Sequence, residues 1–272
     1  MSEQRNAGTI DVRPVVTPRE RRVFLEFPWR IYRGDPVWVP PLLPERRKRI
    51  DPARSPFFRR GSADFFIAWR GAEPVGTICA GEDRERNAYL GIHDAVFGFF
   101  ECIDDYGVAL ALFETAASWA RAHGLNALLG PFNLDYEDSY GIVLEGHDRP
   151  QVVLCGQTPP YYRGFVERYG FVRGRSGDNI AFEARLDLPE DDPRLQKLAR
   201  TAAIVEKRHS VTTRLAHWDD WDSEVDHAVR ILNKGLAILP DFSPWDRATF
   251  AAHAEAMRPI IDPDLIIFGL VH

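Results

Sequence analysis

The chain has 272 residues, a hydrophobic fraction of 45% and a formal net charge of −6 at pH 7. That is enough chain for one large domain or two modest ones, with the apolar content of a globular protein. The negative balance argues against general nucleic-acid binding, and no apolar run is long enough to span a bilayer. The opening "MSEQRNAGTIDVRPVV" lacks a signal peptide's apolar stretch, so the expected location is cytoplasmic with no membrane partner. Cys79, Cys102 and Cys155 lie far apart in apolar runs and read as buried thiols. Their spacing fits neither a disulfide framework nor a metal site, and the scattered histidines add no metal signal.

In chain order, "TIDVRPVV" (9–16) alternates like a strand, and Thr17-Pro18 opens a helix that reaches about Tyr32. The proline- and arginine-rich stretch from Arg33 to Phe58 reads as irregular backbone with about one helical turn. Within and just after it stand seven cations, Arg46, Arg47, Lys48, Arg49, Arg54, Arg59 and Arg60, read as a solvated basic segment or an anion contact. "ADFFIAWRGAEPVGTICAGED" is two apolar runs joined at Arg70 to Pro74, a hairpin pattern. A third strand around 96–103 leads into an amphipathic helix, ended by Gly124, with Leu110, Phe113, Ala117 and Ala120 on one side, a face broadened by Leu112, Ala116 and Trp119.

"NALLGPFN" (126–133) follows as a strand. After it comes an acidic, aromatic loop with Asn133, Asp135, Tyr136, Glu137, Asp138 and Tyr140. Loops at strand ends beside a splay are where open sheets bind ligands, so Asn133, Asp135, Tyr136 and Tyr140 are candidates to receive a cationic or amine substrate. "PPYYRGFVERYGF" fits a short helix ended at Gly170, and "NIAFEARLDL" (179–188) closes the unit as a strand. A charged linker with a helix (189–210) precedes a faint repeat: strand then charged helix from Thr212, and an acid-led apolar strand at 263–271, echo the first 70 residues. An apolar strand so placed seeks a partner, which implies a homodimer through it or pairing with the first unit.

This order of elements resembles the GNAT acyltransferase superfamily, most of all little-characterised bacterial GNAT-like proteins. The likeness is carried by "PWRIYRGDPVWVPPL" before "SPFF", by "FGFFECIDD", and by "GPFN" followed by "PPYYRGFVERYGF". The resemblance implies an α/β (α+β) fold: a GNAT-like mixed, mostly antiparallel central sheet flanked by helices over 9–188, with a partial second GNAT-like unit over 211–272. It further implies an acyl-CoA-dependent N-acyltransferase, with acetyl-CoA or another acyl-CoA as co-substrate and a small-molecule or peptide amine as acceptor. Two alternatives stand beside it: a non-catalytic GNAT-like binding protein, and a tRNA-dependent aminoacyl transferase.

The superfamily's strand-to-helix turn carries Gln or Arg, two residues, Gly, one residue, then Gly or Ala, and helix N-terminal amides there point at the cofactor diphosphate. On this chain the pattern falls on Asp104 to Ala109. The implied cofactor-binding residues are therefore Ile103, Gly107, Val108 and Ala109. Asp104 stands where a cation or amide is expected, and a carboxylate about 6 Å from a phosphate charge costs roughly 3 kcal/mol at an effective dielectric near 20. An aspartate before a first turn equally well caps the helix. Strand alternation puts Phe97, Phe99, Glu101 and Ile103 on one face, so Glu101, a carboxylate among apolar groups, is the candidate base. The superfamily's usual acidic tyrosine is replaced by Val166, and Tyr162, one turn earlier, is the candidate acid.

Overall fold

The computed structural model describes residues 8–134, 140–151, 155–175, 177–184, 187–189 and 191–271. The chain forms two compact units, Met1–Gly177 and Asp178–His272. Unit 1 begins with β1 (Ile10–Pro14), α1 (Pro18–Glu26) and α2 (Pro28–Ile31). Thr17 starts α1 through a capping box, its hydroxyl accepting the Glu20 N–H while the Glu20 carboxylate accepts the Thr17 N–H. Two short helices follow, α3 (Leu43–Arg49) and α4 (Phe57–Arg60), more helix than the proline-rich sequence predicts. Leu43 and Ile50 anchor α3 against Phe24, Leu25 and Ile67.

The hairpin of β2 (Gly61–Arg70) and β3 (Glu73–Asp83) turns where expected. A helix absent from the sequence reading, α5 (Arg84–Leu90), comes next, capped by Asp83 and closed by Gly91 in the left-handed region. Then β4 (Asp94–Cys102), α6 (Tyr106–Ala122), β5 (Ala127–Leu129) and α7 (Tyr161–Tyr169) complete the unit. The sheet runs β1-β2-β3-β4-β5, antiparallel throughout except for the parallel β4–β5 pair.

On one face of the sheet, α6 buries Val108, Ala109, Leu112, Phe113, Ala116, Trp119 and Ala120. Leu112, Phe113, Ala116, Trp119 and Ala120 of the expected apolar face are buried, whereas Leu110 is exposed. Leu112 and Phe113 are fully buried, each worth about 2 kcal/mol of transfer free energy. The predicted closing strand at 179–188 is not formed among its described residues, and Ile180 and Phe182 are exposed there. β5 pairs over only three residues, which leaves a short template for a further strand. Cys79 and Cys102 are buried, but Cys155 is exposed.

Unit 2 consists of α8 (Pro193–His209), β6 (Val211–Leu215), α9 (Trp221–Leu236), α10 (Arg247–Met257) and β7 (Ile267–Val271). β7 pairs antiparallel with β6, from Val211 opposite Val271 to Leu215 opposite Ile267. The first and last strands of this strand–helix–helix–strand run pair as β1 does with β2. A bidentate Arg214–Glu224 pair (2.6 and 3.0 Å) ties β6 to α9, with the His217 N–H as a third donor to Glu224. The partner of the C-terminal apolar strand in this structure is therefore β6. Among the described residues no helix is long and apolar enough to cross a membrane, and no group of side chains could hold a metal ion.

Candidate active site

The site begins with a defect in β4. Between Thr77 and Cys79 the β3–β4 register shifts, so that Thr77 faces Glu101 while Cys79 faces Gly98. β4 therefore carries one extra residue, a β-bulge at Phe99. Phe99 sits at φ 46°, a left-handed conformation that costs an aromatic residue. Its freed backbone groups are satisfied by side chains: Asn133 Oδ1 accepts the Phe99 N–H (2.6 Å), and the Thr77 hydroxyl donates to the Phe99 carbonyl (2.9 Å). Gly98 allows this because a Cβ there would overlap the Phe132 carbonyl. The strand-end loop thus packs directly on the bulge.

The bulge overturns the alternation predicted for this strand. Phe97, Phe100 and Cys102 face α6, while Phe99 turns to Phe24 and Phe65 on the other side. Glu101 follows Phe99 to that opposite side. It lies on the wall of an open cleft whose other walls include Phe24, Leu25, Trp38, Val39, Pro131 and Tyr140. Arg46, from the basic stretch, also lines the cleft and rests over the Phe99 ring, 5.3 Å from its centroid.

Beyond Val96, β4 and β5 no longer pair, and α7 fills the gap. The Tyr162 hydroxyl accepts the Cys102 N–H (2.6 Å) and donates to Glu101 Oε2 (2.9 Å), and the Tyr161 hydroxyl donates to the Cys102 carbonyl (2.8 Å). Tyr162 is fully buried against Phe100 and Phe165. The two residues nominated from sequence as base and acid are therefore in direct contact. Tyr32, stacked on Trp38, donates its hydroxyl to the Gln157 carbonyl (2.7 Å) and lies near enough to the Glu101 carboxylate to lower it.

Burial pushes the Glu101 carboxyl up to about 7, against the opposing pull of the two tyrosine hydroxyls and Arg46. Burial beside Glu101 raises both Tyr162 and Tyr32, so both phenols are protonated hydrogen-bond donors near neutral pH. Burial likewise raises the Cys102 thiol, which is the opposite of what a thiolate nucleophile needs.

At the turn into α6 the geometry differs from a diphosphate cradle. Asp105 is the N-cap, its Oδ1 accepting the Gly107 N–H at 2.8 Å. The Asp105 carbonyl accepts the Val108 and Ala109 amides (3.1 and 3.2 Å), and the side chains of Val108 and Ala109 are buried in the core. Ile103 packs partly buried against the same core, and its carbonyl accepts the Asp105 N–H. Arg70 of β2 donates to Asp105 Oδ2 at 2.6 Å. The carboxylate so held is lowered below its usual range, the Arg70 and amide hydrogen bonds outweighing the opposing effect of burial. A cation is present at the turn after all, but an internal carboxylate stands between it and any ligand.

Of the predicted acceptor residues, Asn133 and Tyr140 line the cleft, and Asp135 and Tyr136 lie outside the described residues. Sequence reasoning missed Tyr32, Trp38, Thr77 and Gln157. Arg46 was noticed only as one member of a charge run. The signal available for them was the aromatic density of "PWRIYRGDPVW".

The bulged fourth strand, the parallel β4–β5 pair and the long helix between them define a GNAT-like fold. The chain is similar, at 32% identity over 263 residues, to a bacterial ceramide synthase of Caulobacter vibrioides, covering 96% of this chain and 66% of that protein. It is 28% identical over 256 residues to protein YghO of Escherichia coli, covering 94% of this chain and 63% of that one. The chain thus spans slightly less than two thirds of each curated relative. Among solved structures, a tandem GNAT protein from the clavulanic acid biosynthesis pathway is 12% identical with a TM-score of 0.46, over 92% of this chain and 66% of that one. No family model matches the chain.

Proposed function

We propose that the chain is an N-acyltransferase that moves an acyl group from acyl-CoA to the amine of a long-chain amino alcohol. The observation that carries this reading is the Glu101–Tyr162 pair at 2.9 Å, with a carboxyl poised near 7 on the wall of a cleft walled largely by apolar and aromatic side chains. The relative described as a ceramide synthase favours a lipid amine over a small polar one, because a ceramide is the amide of such an amino alcohol. The hydrocarbon part would lie along Phe24, Leu25 and Val39, and the amine would approach Glu101.

In this mechanism the neutral amine attacks the thioester carbonyl and gives one proton to Glu101 as the C–N bond forms. The C–S bond then breaks, the thiolate takes the Tyr162 proton, and protonated Glu101 restores it along their hydrogen bond. Protons balance within the pair. The neutral, buried Cys102 thiol supports direct attack rather than a covalent acyl-enzyme. The Gly107 amide is already taken by Asp105, so that turn takes no part in the chemistry proposed.

The same capped turn favours a second reading, a GNAT-like binding protein without catalysis. Turnover of a long-chain amine with palmitoyl-CoA, followed by thiol release, separates the two. Release that Glu101→Gln abolishes supports the transferase. No release, with no rise in melting temperature at millimolar acyl-CoA, supports the binding protein.

A further inference from the structure

Arg46 lines the cleft and Arg60 is paired with Asp83, but the exposed arginines of the basic stretch have no part in the acyltransferase reading. From Arg33 to Arg60 the chain carries eight cations against three carboxylates, a net charge of +5 within a protein of −6. Arg33, Arg47, Arg54 and Arg59 are exposed. Beside them stand apolar groups that burial would favour: Val39 is 50% exposed and Leu42 72% exposed, with Pro40 exposed between them. They are held on a shaped backbone. Leu42 occupies the N-cap of α3, and Leu43 and Ile50 on either end of that helix pack into the core of unit 1. The segment is also continuous with the cleft, whose lining includes Trp38, Val39, Pro41 and Arg46.

We propose that residues 33–60 of unit 1 dock on the surface of an anionic lipid bilayer, with Val39 and Leu42 seated among the headgroups and the exposed Arg33, Arg47, Arg54 and Arg59 on lipid phosphates. The feature that selects a bilayer is the pairing of exposed apolar side chains with cations. A polyanion such as RNA would use the cations but gain nothing from Leu42. This departs from the expectation of no membrane partner: the contact is peripheral, and it needs no spanning helix. It extends the acyltransferase reading by letting a lipid amine pass from the bilayer past Val39 toward Glu101, but the docking itself requires no catalysis.

The test is co-sedimentation of the full chain with vesicles of phosphatidylglycerol and phosphatidylcholine, against pure phosphatidylcholine, at low and high salt and without substrates. Binding to the anionic vesicles is expected to exceed that to neutral ones by about tenfold or more and to weaken with salt. Arg47→Glu with Arg54→Glu should lower partitioning by at least about fivefold per cation removed. Leu42→Asp, which keeps a good N-cap, should lower it about tenfold while leaving turnover of a short, water-soluble amine unchanged. Equal affinity for the two vesicle types overturns the proposal, as does indifference to Leu42→Asp. So does salt-sensitive binding of an RNA oligonucleotide with none to vesicles. Vesicle binding with no thiol release from acyl-CoA and a long-chain amine would remove the acyltransferase reading and leave the docking intact. The reverse pair of results would remove only the docking.

Discussion

Glu101 sits where ionisation is costly, and that cost has two consequences of opposite sign. Its carboxyl is pushed to about 7 in the folded chain from an ordinary 4.5, so the folded state holds its proton more tightly than the unfolded chain. This contribution to stability is complete below about 4.5 and is lost as pH rises through about 7. At 1.36 kcal/mol per pH unit the loss is of order 3 kcal/mol. Glu101→Gln should therefore melt a few degrees above the parent at pH 8 while turning over about 10²- to 10⁴-fold more slowly. Calorimetry and a turnover assay on one preparation check both, and a variant that melts lower or turns over normally contradicts the base assignment. Tyr162→Phe acts through the same carboxyl. It removes a hydrogen bond that lowers Glu101 and strips the buried Cys102 N–H of its acceptor. The rise of kcat/KM with pH should then shift upward from near 7, with a stability loss of about 1–3 kcal/mol. An unmoved profile would mean that the two groups do not share the proton.

The elements that carry the site differ in how plainly they could be read. β2, β3, β4, α6 and α7 follow from alternation, helical spacing and their glycine punctuation. What alternation could not supply was the bulge, because a one-residue insertion reverses every later side chain and has no local signature beyond Gly98. That is why Glu101 shares a face with Phe99 but not with Phe97, although alternation puts all three together. Tyr32 and Arg46 were opaque for a different reason: they come from α2's C-terminus and α3, elements whose position depends on tertiary packing of Leu43 and Ile50 rather than on periodicity. The bulge gives a direct test. Asn133→Ala leaves the Phe99 N–H without that acceptor, and should cost about 1–3 kcal/mol. Turnover should fall while thioester affinity holds, and loss of affinity alone would contradict it. The Asp105 cap is a second one. Asp105→Ala removes the N-cap of α6, worth about 1 kcal/mol, and frees both the Gly107 amide and Arg70. If a diphosphate uses this turn, the less stable variant binds acyl-CoA more tightly, by up to about a hundredfold from relieved repulsion. Titration calorimetry would show it, and unchanged affinity would place the diphosphate elsewhere.

At the scale of the molecule, the sequence revealed that one order of elements begins twice, since strand, charged helix and apolar strand recur in it. The stretch 179–188 has the apolar alternation of a strand in the sequence, yet its described residues form none. The two units nevertheless carry distinct titrating carboxylates, which makes them separable in solution. In unit 2 the Arg214 hydrogen bonds hold Glu224 at about 2, so its contribution is present above 4.5 and lost as pH falls toward 2. In unit 1 Glu101 works the other way, its contribution being lost as pH rises toward 7. Scanning calorimetry should accordingly resolve one transition that moves down between pH 5 and pH 8 and another that moves down between pH 5 and pH 3. Glu101→Gln should suppress the alkaline shift and leave the acid one, and Glu224→Gln should reduce the acid shift and leave the alkaline one. If both substitutions move a single transition together, the units melt as one body and the opposing slopes belong to one cooperative structure.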